Sequence, residues 1–148
     1  VADQLKTALV PVTGSPLDEF TVGLACDLVK PQKGTVHVVY VIEVSRQLPL
    51  DAEVPFESTR GERILVQMEK VAKSHKCKVA GEILQARSLG PAVVDEAALR
   101  NADVVVIGSP YQEHFGAPTI GDVVPYLLKH SPCRVVVYRD AQWRMESK

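Results

Sequence analysis

Val36-His37-Val38-Val39-Tyr40-Val41-Ile42 is apolar at every position but the histidine. A strand with one wet face would alternate polar and apolar residues, so this run reads as a strand covered on both faces, the habit of parallel sheets. Ala8 to Val12, Val104 to Ile107 and Arg134 to Tyr138 have the same texture. Val79 to Leu84 differs, because Lys78, Ala80 and Glu82 alternate with Val79, Gly81 and Ile83, and it reads as an edge strand.

Between these runs lie four segments of helical period. In the first, Leu17, Phe20, Leu24 and Leu28 share a face, with Ser15 as N-cap, Pro16 at N1 and Asp18 at N3 in the manner of a capping box. The second, about Ser58 to His75, places Ile64, Leu65, Met68, Val71 and Ala72 inward. The third begins near Pro91 and turns in Val93, Val94 and Ala97. The fourth starts at Gly121 or Asp122, buries Val123, Val124, Leu127 and Leu128, and tolerates Pro125 in its first turn. Strict alternation of strand and helix with right-handed crossovers predicts an α/β fold, a doubly wound five-stranded parallel sheet with four helices on its two faces. Ligands of such sheets sit at the carboxyl ends of the strands where the strand order reverses. Candidate site residues therefore fall in Thr13 to Ser15, Ile42 to Glu43, Arg87 to Gly90 and Gly108 to Asp122. Glu43 to Glu57 and Ser109 to Ile120 are longer than tight connections and read as excursions.

The 148 residues suit one domain, with a core of about residues 6 to 139 and a tail over 140 to 148. Apolar residues are 46% and charged residues 24%, as in a globular protein. A net charge of -1 with interspersed signs offers no footprint for nucleic acid or an anionic membrane. Cys26, Cys77 and Cys133 are odd in number and widely spaced, and they read as buried small hydrophobes of a reducing, cytoplasmic setting. Val1 to Lys6 lacks the form of a signal peptide, and no apolar run approaches the roughly 20 residues of a membrane span.

Three stretches carry a family likeness. Ala8-Leu9-Val10-Pro11-Val12-Thr13-Gly14-Ser15, Val106-Ile107-Gly108-Ser109 and Leu127-Leu128-Lys129-His130-Ser131-Pro132-Cys133-Arg134-Val135-Val136-Val137 together resemble a universal stress protein domain, over roughly Lys6 to Arg139. Leu48-Pro49-Leu50-Asp51 and Ala86-Arg87-Ser88-Leu89-Gly90-Pro91-Ala92-Val93-Val94-Asp95-Glu96-Ala97 look like the version appended to the cytoplasmic end of amino-acid permeases. The resemblance implies strand order 3-2-1-4-5, an adenine-nucleotide alpha-hydrolase-like arrangement, and a regulatory rather than enzymatic role. It also implies an adenine-nucleotide pocket, here lined by Pro11, Val12, Thr13, Val41, Gly108, Tyr111, Gly121, Asp122 and Val123. Family members often dimerise along the last strand. Arg134, Val135, Val136, Val137 and Tyr138 would form that interface, since so apolar an edge is poorly left in water.

Nucleotide-binding members carry an Asp after the first strand and, after the fourth, G-x-x-G, nine residues, then G with Ser or Thr. Glycines there admit backbone N–H groups to phosphates, and a helix N-terminus faces the same anion. This chain keeps Gly108 and Gly121 but has Thr13, Tyr111 and Asp122 at the other positions. An acid at 122 stands where a phosphate would sit, and as N-cap it would take the amides a phosphate needs. Like charges about 4 Å apart repel by about 4 kcal/mol at an effective dielectric of 20, roughly a thousandfold in affinity. The Ser109 to Ile120 loop supplies no Lys or Arg and adds Glu113. The expected ligand is therefore AMP, adenosine or a relative rather than ATP, and the alternative is a ligand-free dimeric interaction domain regulating or attached to a permease.

Other features divide between plain and functional readings. Thr13 suits turn chemistry as well as a hydrogen bond to a base or ribose. Tyr111 and Phe115 either fill the vacated pocket or stack on a base. His37 reads as a core histidine with one hydrogen bond, and Arg87 as a solvated arginine that could reach a bound anion. His114, His130 and Cys133 lack metal-ligand spacing, and no nucleophile motif is present. Neither metal nor catalytic residues are expected.

Overall fold

The computed structural model describes residues 4–110 and 112–139. In chain order the elements are β1 (Thr7–Val12), α1 (Asp18–Val29), a 3-10 turn (Lys30–Gln32), β2 (Thr35–Glu43), α2 (Pro55–Ser74), β3 (Lys78–Ala86), α3 (Leu89–Leu99), β4 (Val104–Gly108), β5 (Gln112–His114), β6 (Ala117–Thr119), α4 (Val123–His130) and β7 (Arg134–Tyr138). The main sheet is parallel in the order β3-β2-β1-β4-β7, so the alternating edge strand and the apolar last strand both take edge positions. Counted within this sheet the order is the expected 3-2-1-4-5. Strands β5 and β6 form a separate antiparallel hairpin inside the Ser109 to Ile120 segment. Its two-residue turn, Phe115-Gly116, has φ of 53° and 78°, the backbone of a tight type I′ connection.

Period-two alternation divides the core between the faces of the sheet. Ala8, Val10 and Val12 of β1 point toward α1 and α2, where Val22, Ala25, Cys26, Val29, Ile64, Leu65, Met68 and Ala72 meet them. Leu9 points the other way, into the layer built with Val93, Ala97, Val124 and Leu127 of α3 and α4. The buried faces of α2 and α3 are those the periodicity predicts. Two helices depart from it. On α1 the innermost residues are Thr21, Val22, Ala25, Cys26 and Val29, whereas Phe20 is exposed and stacks on Tyr138 of β7 with ring centroids 6.0 Å apart. Small residues let α1 lie close to the sheet, which displaces the bulkier Leu24 and Leu28 to its flank. On α4, Leu128 is exposed rather than buried.

The start of α1 also differs from a capping box. The helix begins at Asp18, and Ser15 instead forms the turn before it: its Oγ accepts the Leu17 N–H at 3.1 Å and its carbonyl accepts the Asp18 N–H at 3.0 Å. Cys26 is fully buried, while Cys77 and Cys133 are half-buried. Burial first, and then the neighbouring Cys77 thiol, push the Cys26 thiol up to about 12. His37 is half-buried and, among the described residues, no hydrogen bond reaches its ring. Burial, and then the Arg100 charge, lower its pKa.

Candidate functional site

The chain runs outward from β1 to β2 and β3, then returns to place β4 on the other side of β1, so the order reverses between β1 and β4. A cleft of about 680 Å³ opens there, at the carboxyl ends of the strands, within the size range of small-ligand sites. Pro11 and Thr13 line it from β1, Gly108 from β4, and Gly121, Asp122 and Val123 from the head of α4. These are six of the residues singled out in the sequence. Val12 is not among the lining residues, because alternation along β1 turns it into the opposite core layer. Val41 packs beside the α3 and α4 layer and stops short of the cleft. Tyr111 lies outside the described residues. Phe115 neither fills nor lines the cleft, since the hairpin turn carries it outward, where it is exposed.

Two glycines serve the geometry the site depends on. Gly121 has φ +69°, a backbone that a side chain disfavours, and it turns the chain into α4. A Cβ on Gly108 would stand 3.1 Å from Thr21 Cγ2 and 3.2 Å from Leu17 Cβ, so its bare backbone lets β4 end against α1.

The electrostatics of the cleft come from acids. Asp18, Glu43 and Asp122 all line it, and no Lys or Arg does among the described residues. Asp122 stands at the N-cap of α4 as expected, yet its carboxylate makes no capping hydrogen bond. Its backbone there is in the helical region rather than the extended conformation from which a cap side chain reaches its amides. The acid is solvent-exposed, so the repulsion expected from it is screened. Two other acids of the lining do accept backbone amides. Asp18, buried, accepts the Gly14 N–H at 2.8 Å and the Thr13 N–H at 3.4 Å. Glu43 accepts the Leu89 N–H at 3.0 Å, the first amide of α3. Burial raises the Asp18 pKa, while the amides of Gly14, Thr13 and Ser15 and the Arg60 charge act to lower it.

The Thr13 backbone is committed on both sides. Arg60 donates to its carbonyl at 3.2 Å and to the Tyr40 hydroxyl at 2.6 Å. Arg87 is exposed, as a solvated arginine would be, and it does not line the cleft. It donates to the carbonyls of Ser45 at 2.7 Å and Leu48 at 2.9 Å, and Gln85 donates to those of Leu50 and Ala52 at 2.9 Å each. Together they pin the excursion between β2 and α2. Ser15, Ser88, Ser109 and Tyr126 complete the polar lining. The three serines fall in the strand-end segments that the sequence marks out, whereas Tyr126 was missed; its place one turn beyond Val123, on the helix whose head meets the cleft, is the signal that could have found it. Among the described residues no group of three or more His, Cys, Asp or Glu could hold a metal ion.

Residues 4–139 match the model of the universal stress protein family. Universal stress protein MJ0531 of Methanocaldococcus jannaschii is 24% identical over 140 residues, covering 90% of this chain and 82% of that one. The fold superposes on that of the universal stress protein from Archaeoglobus fulgidus in complex with dAMP, with TM-score 0.70, 14% identity and coverage of 91% of this chain and 98% of that one. It superposes likewise on a universal stress protein family protein from Arabidopsis thaliana with AMP bound, with TM-score 0.64, 12% identity and coverage of 93% and 94%. Fold, switch-point cleft and the match over nearly the whole described chain agree: this protein belongs to the universal stress protein family.

Proposed function

We propose that the cleft binds an adenine nucleoside or a singly phosphorylated adenine nucleotide such as AMP, and that the chain acts as a non-enzymatic regulatory homodimer in the cytoplasm. One observation carries the ligand reading: Asp18, Glu43 and Asp122 line a cleft that no Lys or Arg lines among the described residues, the nearest cation, Arg60, being held outside it by the Thr13 carbonyl and the Tyr40 hydroxyl. Relatives of the same fold hold dAMP and AMP, and each further phosphate would add charge beside these carboxylates. The amides a polyphosphate would recruit after β1 and at the head of α3 already donate to Asp18 and Glu43. The same bonds favour binding over catalysis, since the two acids best placed to take a proton are engaged. The free thiols of Cys26, Cys77 and Cys133 suit a reducing compartment. The test is calorimetric titration of AMP into the Asp122→Asn protein. Removing an exposed charge from the cleft should tighten AMP about two- to fivefold, a screened interaction, and leave adenosine unchanged. AMP binding that ignores the substitution would count against the reading.

A second reading is an interaction module with an empty cleft, attached to or acting beside an amino-acid permease. What favours it is that the two stretches carrying the permease likeness meet in space, where Arg87 donates to the Leu48 carbonyl, and that Val137 lies exposed on the edge strand β7. A melting temperature that no adenosine, AMP or ATP shifts would select this reading over the first.

A further inference from the structure

The opposite end of the sheet carries the reverse charge. Thr35 pairs with Lys78, which sets the turns leading into β2 and β3 side by side. Lys30 and Lys33 come from the first turn, Lys76 and Lys78 from the second, and with Gly34 and Cys77 they enclose a recess of about 270 Å³. All four lysines are exposed, and among the described residues none joins an ion pair. The acid on the α1 flank, Asp27, is taken by His75 at 3.0 Å. Lys33 and Lys76 have φ of 53° and 56°, where glycine would be the unstrained residue, so each turn keeps a cation at a conformational cost. Four ammonium groups around one recess repel each other, and a multivalent anion relieves that repulsion at every one of them.

We infer that this recess binds a phosphate-bearing anion of two or more negative charges, at a site separate from the cleft. The volume is ample for a group of pyrophosphate size. The anion is either free in solution or the headgroup of a phosphorylated lipid.

The test titrates inorganic pyrophosphate into the full chain by calorimetry at low ionic strength, with a parallel sedimentation assay on phosphatidylcholine vesicles with and without phosphatidylinositol phosphate. The variant is Lys30→Gln with Lys78→Gln, both at exposed positions with ordinary backbone, and circular dichroism checks its fold. One pyrophosphate site is expected, weakened at least about tenfold in the double variant and by added salt. Binding confined to the phosphorylated vesicles and lost in the variant would make the lipid headgroup the source. Pyrophosphate and vesicle binding both absent at low salt, or binding unchanged in the double variant, would overturn the inference.

Discussion

Burial raises the pKa of Asp18 while the amides of Thr13 and Gly14 pull against it, so this one carboxylate both organises the loop after β1 and resists ionisation. Its ordinary value is 3.8 and its folded value is higher. Between the two the folded state holds more protons than the unfolded one, so the contribution to stability is greatest below the ordinary value and is lost as pH rises through the folded one. Asp18→Asn removes this titration. The stability of the natural protein relative to that variant, from urea denaturation, should fall as pH is raised from about 3 to about 7, and a flat difference would contradict the assignment. At this scale the sequence was only partly legible. An acid near the anion site could be read from composition, and attention fell on Asp122, which follows Gly121 at the head of a helix. That Asp18 is the acid which takes the amides after β1 depends on the Ser15 to Leu17 turn swinging its side chain back onto Thr13 and Gly14, a geometry no spacing rule reports.

Among the elements, Gln85 near the end of β3 and Arg87 just beyond it hold the excursion between β2 and α2 by its carbonyls. Arg87→Ala should cost about 1 to 2 kcal/mol and raise proteolytic cleavage within residues 45 to 54, read by mass spectrometry of the fragments. Unchanged cleavage would deny Arg87 its anchoring role. On the other edge, β7 leaves Val137 exposed while Val135 and Val136 are half-buried. If a second copy covers that edge, Val137→Lys yields a monomer by light scattering at micromolar concentration where the natural protein is a dimer. Equal masses would leave β7 uncovered. Four of the five main strands were legible as nearly unbroken apolar runs, and β3 as the alternating pattern of an edge strand. The β5 and β6 hairpin was not, since strands of three residues carry too little pattern. The inward face of α1 was misread for a related reason: small residues, not leucines, decide which side lies against a sheet.

On the scale of the whole molecule, two recesses at opposite ends of the sheet are lined by opposite charges. Acids gather in the cleft at the carboxyl ends of the strands and lysines at the amino ends of β2 and β3. A net charge of -1 hides this polarity, because two opposite patches cancel in the sum. The strands could be read from local pattern and their order from the family resemblance, whereas affinity follows from which charges the fold brings together. The proposed preference for adenosine or AMP requires that the acids lining the cleft disfavour added charge. The ratio of dissociation constants for ATP and adenosine, measured by calorimetry on the natural protein at low ionic strength, tests it most directly. ATP should bind at least about tenfold more weakly than adenosine, with the gap narrowing as salt is added, and ATP binding as tightly as adenosine or more so would contradict it.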